Sequence, residues 1–215
     1  MDADERMRKA AGRPQRRKPT PAEHRERRAG VEDLNEVVDS AARFLEARPR
    51  SVTEVRRKLT RLGYQAALVD AAIVRLSEFG YLDDDAFARA WVESRDRAKP
   101  RGEHALKREL QLKGVDRTLV ERVLDERRDT ARVAAQVDDV EYANPDDAAA
   151  ERLLRRKLAP ILRETDPRRR RQRAYALLAR SGFGPDVCGT VTKRVLDDAA
   201  ADPDDEDGDE GVTEV

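Results

Sequence analysis

The chain has 215 residues, of which 41% are charged and only 4% aromatic, so it offers little material for one large globular core. Its zero net charge is an average, because residues 1–30 carry ten Lys and Arg against five Asp and Glu, whereas residues 197–215 carry ten Asp and Glu and neither Lys nor Arg. One cysteine excludes an internal disulfide framework, and we expect a cytoplasmic protein because no apolar leader and no membrane-length apolar run is present.

Residues 1–30 combine runs of Arg and Lys with three prolines and few large apolar side chains. Such a composition buries too little apolar surface to offset the entropy of ordering the chain. We therefore predict a disordered basic arm over 1–30. It either attracts phosphate groups loosely or is a solvated tail without a specific contact.

Three helices are predicted within residues 31–80. The first carries apolar side chains at helical spacing from Leu34 to Leu45. Ser51-Val-Thr-Glu54 is a capping box that begins the second helix, and Gly63 is placed to end it in the left-handed conformation. A third apolar helix follows Gly63.

A second set of three helices is predicted over 81–130. Asp83, Asp84 and Asp85 can cap the first of them, which bears Phe87 and Trp91. The second helix is expected to expose Lys107, Arg108 and Lys113 and to stop at Gly114, and Asp116 caps the third. Trp91 is expected in the core rather than on a base-stacking surface.

Residues 147–198 are predicted to form the third and least regular set. Its first helix starts after Asn144-Pro145, and Pro160 is expected to kink or end it. Asp166-Pro167 is a cap followed by a first-turn proline. The preceding stretch 131–146 is either a helix extension or a polar linker, and residues 199–215 are predicted to be a disordered acidic tail.

The three sets align on their glycines, Gly63, Gly114 and Gly182. A leucine precedes each glycine by four positions, and apolar residues recur one, five and six positions after it. The sequence therefore predicts an all-α protein, an elongated tandem array of three three-helix repeats. We expect a monomer, because such an array closes its own core.

No set of residues indicates catalysis, a metal or a cofactor. Cys188 occupies the repeat column that Val69 and Val120 fill, which favours a buried structural thiol over a nucleophile. The Asp83–Asp85 run is explained by helix capping, and the glycines follow no phosphate-loop pattern. We therefore do not expect an enzyme.

Basic residues recur on the second helix of every repeat and are the candidate functional residues. Aligned on a stacked array, they would form a stripe that suits nucleic acid or an acidic protein filament, although each cluster alone could be a solvated face. The candidates for contact with a partner protein or DNA are Arg56, Arg57, Lys58, Arg61, Lys107, Arg108, Lys113, Arg168, Arg169, Arg170, Arg171 and Arg173.

Several stretches resemble the RecX regulatory proteins. They include Gly80-Tyr-Leu-Asp-Asp-Asp-Ala-Phe-Ala-Arg-Ala-Trp-Val-Glu-Ser-Arg95, Arg101-Gly-Glu-His-Ala-Leu-Lys-Arg-Glu-Leu-Gln-Leu-Lys-Gly-Val115 and Ser51-Val-Thr-Glu-Val-Arg-Arg-Lys-Leu59. The resemblance is close over 38–126, weaker over 147–198, and does not extend to the arm or tail. It implies tandem three-helix units that bind the RecA recombinase filament on single-stranded DNA and inhibit its ATP hydrolysis, strand exchange and co-protease activity.

Three functions remain open at this point. The first is a non-enzymatic modulator of the RecA filament, which acts in DNA repair, recombination and the SOS response. The second is a nucleic-acid-binding helical-repeat protein that acts on DNA without the recombinase and binds with a steep salt dependence. The third is a helical scaffold for unrelated proteins, which predicts little DNA binding.

Overall fold

The computed structural model describes residues 20–138 and 144–201, and all regular secondary structure in these two ranges is α-helix. No helix among these residues is long and apolar enough to cross a lipid bilayer. In chain order the helices of the described ranges are α1 (Pro21–Ala29), α2 (Leu34–Leu45), α3 (Val52–Leu62), α4 (Ala66–Glu78), α5 (Asp84–Ala98), α6 (Glu103–Leu112), α7 (Arg117–Asp138), α8 (Pro145–Arg155), α9 (Leu158–Leu162), α10 (Pro167–Arg180) and α11 (Pro185–Ala201).

Side-chain caps begin the helices where the sequence marks them. Ser51 forms the predicted capping box, in which its Oγ accepts from the Glu54 amide at 3.1 Å and its own amide donates to the Glu54 carboxylate at 3.3 Å. At the start of α5, Asp83 accepts from the amides of Asp85 and Ala86 at 2.8 and 3.2 Å. These bonds satisfy first-turn amides that have no partner within their helix.

The three aligned glycines end α3, α6 and α10 with positive φ angles: Gly63 (101°), Gly114 (78°) and Gly182 (87°). After α3, the Gly63 amide donates to Thr60 O at 3.0 Å and the Tyr64 amide donates to Leu59 O at 3.4 Å. This pair of bonds is a Schellman motif, and it recurs after α6 and α10. The predicted left-handed ends are confirmed. The leucine column is explained too, since that residue supplies the capping carbonyl and a fully buried side chain.

The first of two compact units comprises, in its described part, residues 20–48 and 55–81. Helix α2 packs against α4. The apolar faces of α2, α3 and α4 form the core of this unit, whose most buried members are Val37, Ala41, Val55, Leu59, Val69, Ala72 and Leu76.

Residues 21–29 are helical, so the prediction of a disordered arm over 1–30 is wrong for its last part. Thr20 and Glu23 form a capping box, and Pro21 occupies the first turn, where a missing amide costs nothing. The helix buries none of its residues and is held by polar contacts such as the bond from Arg25 Nε to Arg61 O at 3.3 Å. The composition of residues 1–30 as a whole indicates disorder, so this local signal for the start of a helix was overlooked. Residues 1–19 lie outside the described ranges.

The second unit comprises residues 49–54 together with 82–138 and 144–201 in its described part. Helices α5, α6 and α7 enclose one core, in which Leu106 and Leu110 are fully buried. Helices α8, α10 and α11 enclose another, around Leu154, Leu178 and Cys188. Cys188 is fully buried, as predicted for a structural thiol, and burial raises its pKa.

The ends of the third repeat depart from simple three-helix geometry. Helix α7 continues to Asp138, so the helix extension is the alternative that the structure supports, and residues 139–143 lie outside the described part. The predicted break near Pro160 is confirmed, but it precedes the proline and separates α8 from the short α9. Pro160 thereby falls in a first turn, where no helical amide is required. Helix α11 runs to Ala201, three residues into the predicted acidic tail, whose remainder is not described.

Candidate nucleic-acid and protein interface

The basic cluster of α3 is exposed but not uniformly available. Arg56 forms an ion pair with Asp70 of α4. The Lys58 ammonium lies 5.5 Å from the centroid of the Phe44 ring. Arg57 and Arg61 are exposed. Neighbours within the same unit therefore already engage at least two of the four predicted binding residues of this helix.

The cluster of α6 contains a clear exception to the predicted exposed face. Lys113 retains only 15% side-chain exposure, and its ammonium lies 3.1 Å from the Glu54 carboxylate and 4.2 Å from the centroid of the Trp91 ring. The prediction that Lys113 is exposed is wrong, because a carboxylate from the first turn of α3 meets the end of α6. Lys107 pairs with Glu121 at 3.0 Å.

Arg108 is the exposed member of the α6 cluster. Within the described ranges it forms no ion pair, in contrast to Lys107 and Lys113 on the same helix. Of the three α6 candidates, Arg108 is therefore the one whose charge faces solvent.

The α10 cluster is the most exposed of the three. Arg168 and Arg171 are exposed and form no ion pair within the described ranges. Arg169 lies 3.7 Å from Asp166 and is 74% exposed. Two members are tied to Glu164: the Arg170 Nε donates to its carbonyl at 3.0 Å, and Arg173 pairs with its carboxylate at 3.1 Å.

Within the second unit, the start of α6 contacts the end of α10 at two glycines, Gly102 and Gly182. The Gly102 amide at the start of α6 donates to Ser181 O at the end of α10 at 3.1 Å. A Cβ atom on Gly102 would lie 2.3 Å from Gly182 O, and one on Gly182 would lie 2.4 Å from the Ala105 Cβ. Only residues without a side chain permit this approach.

The opposite end of α6 repeats the arrangement. A Cβ atom on Gly114 would lie 2.5 Å from the side chain of Thr53, in the first turn of α3, which belongs to the same unit. The Thr53 hydroxyl donates to Gly114 O at 3.0 Å, and the Ser51 hydroxyl donates to Lys113 O at 2.6 Å. Within the second unit, the C-terminal end of α10 thus contacts the start of α6, and the C-terminal end of α6 contacts Ser51 and Thr53.

The aspartates that open α5 all have structural partners. Asp83 caps the helix, and Asp84 accepts from the Val52 amide at 2.9 Å. Burial raises the pKa of Asp84. Asp85 pairs with Arg89 and with Arg122. Capping and pairing account for this acidic run.

Trp91 packs against the core of the second repeat, as expected. Its indole Nε1 donates to the Glu109 carboxylate at 2.9 Å. The Arg95 guanidinium lies 4.1 Å from the ring centroid, and the ammonium of Lys113 also lies over the ring. The Trp91 indole is therefore engaged in contacts between α5 and α6.

A cleft in the first unit was not foreseen from the sequence. It encloses about 520 Å³ between α1, α2 and α3, and its basic lining residues are His24, Arg27, Arg28, Arg43 and Lys58. Composition alone assigned His24, Arg27 and Arg28 to a disordered arm. The Thr20-Pro-Ala-Glu23 capping box is the signal that could have revealed the helix.

Comparison with known proteins gives a consistent result. Sequence models of RecX match residues 38–76 as the first three-helix domain and residues 83–124 as the second. Regulatory protein RecX of Chlorobium phaeobacteroides is 32% identical over 151 residues, which cover 70% of this chain and 87% of that protein. Regulatory protein RecX of Mycobacterium ulcerans is 33% identical over 162 residues, or 75% of this chain and 84% of that one.

The fold has solved counterparts. The crystal structure of RecX from Lactobacillus salivarius matches with a TM-score of 0.57 and 20% sequence identity over 77% of this chain and 97% of that chain. A second crystal structure of regulatory protein RecX gives a TM-score of 0.55 at 20% identity, over 74% of this chain and 71% of the other. These similarities concern the arrangement of the helices.

Proposed function

The chain belongs to the RecX family, and from this membership we propose that it is a non-enzymatic regulator of the RecA recombinase. In this proposal it acts as a cytoplasmic monomer that binds the RecA filament on single-stranded DNA and inhibits ATP hydrolysis, strand exchange and co-protease activity. The observation that carries the proposal is the match of two RecX three-helix domains, together with the similarity to RecX proteins over 87% and 84% of their length.

The exposed arginines of the second helices supply the proposed binding surface. In the second unit, Arg108, Arg168 and Arg171 are exposed and form no ion pair in the described part of the chain. Arg61 of the first unit is likewise exposed without an ion pair and is a separate candidate. A guanidinium group presents donors in a rigid fork that matches phosphate and carboxylate oxygens, so these side chains suit either DNA or an acidic protein surface. We leave Lys113 out of this surface because Glu54 and Trp91 already engage its ammonium.

The end-to-end contacts of the second unit support an extended surface rather than separate patches. Ser181 at the end of α10 bonds to Gly102 at the start of α6, so the two basic helices are fixed to one another. A filament presents the same groups at regular intervals, and a rigid series of cationic helices can contact several of them at once. Such binding would impede the filament without any chemical step in this chain.

The proposal is tested by measuring ATP hydrolysis by the cognate RecA on single-stranded DNA while this protein is titrated. We expect inhibition below one copy per recombinase, and weaker inhibition by the triple variant Arg108→Ala/Arg168→Ala/Arg171→Ala. Arg97→Ala is a matched control, since Arg97 is 76% exposed on α5, outside the second helices.

Failure of the parent protein to inhibit, even in excess and at low salt, would refute a role in RecA regulation. Equal loss in the triple variant and in the Arg97→Ala control would refute the assignment of the surface, because it would show a general effect of charge.

A second candidate is a DNA-binding protein that acts without the recombinase, and the exposed arginines of α10 favour it. It predicts binding of single-stranded DNA by the isolated protein. The logarithm of the affinity should then fall with the logarithm of salt concentration by about 0.7 per phosphate neutralised. Fluorescence anisotropy of a labelled oligonucleotide in the absence of RecA separates the two candidates.

A further inference from the structure

We propose that the cleft of the first unit is a binding site for the phosphate backbone of a single strand of nucleic acid. The cleft lies between α1, α2 and α3, and its lining includes none of the exposed arginines of α6 and α10. Its volume of about 520 Å³ lies within the range of about 300–1,000 Å³ that is usual for sites of small ligands. The inference does not require a recombinase.

Charge is the first argument for an anionic ligand. Four permanent cations, Arg27, Arg28, Arg43 and Lys58, line the cleft together with His24. Within the described ranges, none of these five side chains forms an ion pair. Glu36 is the one acidic side chain in the lining.

This local excess contrasts with the chain as a whole, which balances 44 Lys and Arg against 44 Asp and Glu. On the same helix as Lys58, Arg56 pairs with Asp70, and on α6 Lys107 pairs with Glu121. Cations of one sign gathered in a concave site reinforce one another's potential and attract an anion more strongly than the same charges on a flat surface.

Aromatic rings hold two of the cations in place. The Arg28 guanidinium carbon lies 5.9 Å from the centroid of the Tyr64 ring, and the Lys58 ammonium lies 5.5 Å from that of Phe44. Such cation–π contacts restrict side chains that otherwise lose entropy on binding. The Arg43 Nε donates to Asp39 O at 3.2 Å, which likewise restricts the orientation of its guanidinium group.

Hydrogen bonds and a close backbone contact hold helix α1 against the rest of the first repeat. The Gln65 Nε2 donates to Ala29 O at 2.8 Å, and the Arg25 Nε donates to Arg61 O. A Cβ atom on Gly63 would lie 2.9 Å from Arg25 O, so the glycine that caps α3 also admits the backbone of α1. These contacts place His24, Arg27 and Arg28 opposite the cations of α2 and α3.

The chemistry of the lining favours nucleic acid over an acidic peptide. Arginine forks bind phosphate oxygens in pairs, and the exposed guanidinium planes of Arg27 and Arg43 are surfaces on which a base can stack. An acidic peptide would pair with the charges but has no bases to stack on the guanidinium planes. The acidic segment 202–215 of this chain is the peptide against which the proposal is tested.

The test is fluorescence anisotropy of a labelled oligothymidylate with the full chain and no recombinase. We expect the double variant Arg27→Ala/Arg43→Ala to weaken binding on the order of tenfold or more, because it removes two of the four permanent cations that line the cleft. The salt dependence should also become shallower by about 0.7 for each phosphate that the variant no longer neutralises. Arg97→Ala, which removes an exposed arginine of the second unit, should retain the affinity of the parent protein.

A second variant predicts an effect of opposite sign. Glu36→Gln removes the acidic group of the lining, so it should strengthen oligonucleotide binding, a result that impaired folding cannot imitate. An unchanged affinity in both the double variant and Glu36→Gln would overturn the proposal. So would a double variant that loses binding of a synthetic 202–215 peptide but keeps that of the oligonucleotide.

These outcomes are independent of the proposed RecA regulation. If the cleft variants bind DNA normally while the α6 and α10 variants lose inhibition of RecA, the cleft proposal fails and the regulatory one stands. The reverse pattern would retain the cleft as a nucleic-acid site and remove the assigned regulatory surface.

Discussion

Lys113 and Glu54, which lie 59 residues apart in the sequence, form an ion pair with an N–O distance of 3.1 Å and side-chain exposures of only 15% and 19%. The same carboxylate accepts from the Ser51 amide, so the Glu54 side chain supplies both a helix cap and a long-range contact with the end of α6. An ammonium that the sequence places on an exposed basic face thus joins the end of α6 to the first turn of α3.

We predict that Lys113→Ala destabilises the protein by about 2 kcal/mol, because it removes a largely buried ammonium that pairs with Glu54 and lies over the Trp91 ring. Arg108→Ala on the same helix should change the free energy of unfolding by less than about 0.5 kcal/mol. Urea denaturation followed by circular dichroism measures both. Unchanged stability with reduced DNA affinity in Lys113→Ala would instead assign Lys113 to the binding surface.

The glycine junction between α10 and α6 gives a second prediction. Gly102→Ala should destabilise by about 1–3 kcal/mol, because its Cβ would lie 2.3 Å from the Gly182 carbonyl oxygen and the backbone must move apart. Gly189→Ala is the matched control, since nothing lies within 4 Å of its Cβ in α11. That substitution should stabilise by about 0.5–1 kcal/mol, because alanine loses less conformational entropy in a helix. Equal effects of the two substitutions would argue against a close backbone contact.

Local signals predicted much of the fold. Ser51 and Asp83 cap helices, and Gly63 adopts a left-handed conformation, because each depends on a bond to a residue a few positions away. The repeat alignment also placed Cys188 in the core. Hydrophobic periodicity, capping residues and the spacing of glycines can be read from the sequence without knowing how the helices pack.

Contacts between residues that are distant in the sequence could not be predicted from such local signals. No periodicity indicates that Lys113 meets Glu54 or that Arg56 meets Asp70, because such pairs depend on how helices pack. The cleft was missed for a related reason. The side chains of α1 line the cleft only because Gln65 bonds to the end of that helix and holds it against the repeat. Amino-acid composition does not reveal such a contact.

Arg127 provides a third prediction, because its side chain is only 7% exposed and joins α7 to two acidic groups. It donates to Asp96 at 2.8 and 2.9 Å and to Asp146, at the start of α8, at 2.7 Å. Burial raises the pKa of Asp146, which also accepts from the Glu103 amide. Arg127→Ala should therefore destabilise by about 3 kcal/mol or more, since two carboxylates lose their common cation.

Hydrogen exchange of the α8 amides tests whether the loss of stability in Arg127→Ala is concentrated in that helix. They should exchange faster in Arg127→Ala, and the double variant Arg127→Met/Asp146→Asn should recover part of the stability by removing the uncompensated charge. Exchange that rises equally in all helices would contradict a specific role of Arg127 in fixing α8.

The last prediction concerns pH and a closed ring of four side chains on α5 and α7. Arg89 pairs with Asp85 and Glu126, and Arg122 pairs with the same two carboxylates. Hydrogen bonding to Arg122 lowers the pKa of Asp85, and hydrogen bonding to Arg89 lowers that of Glu126. The unfolded chain therefore binds protons at a higher pH than the folded chain does.

Stability from this ring is present above the unfolded pKa values of about 4 and is lost as pH falls through the lower folded values. We expect the melting temperature to fall between about pH 5 and pH 3, and the Asp85→Asn/Glu126→Gln variant to show a shallower fall. Because the side chains of this ring are about one-third to one-half exposed, the loss at neutral pH should be small, and added salt should reduce it further. Parallel curves for variant and parent, measured by thermal denaturation across this range, would show that the ring makes no contribution to the pH dependence.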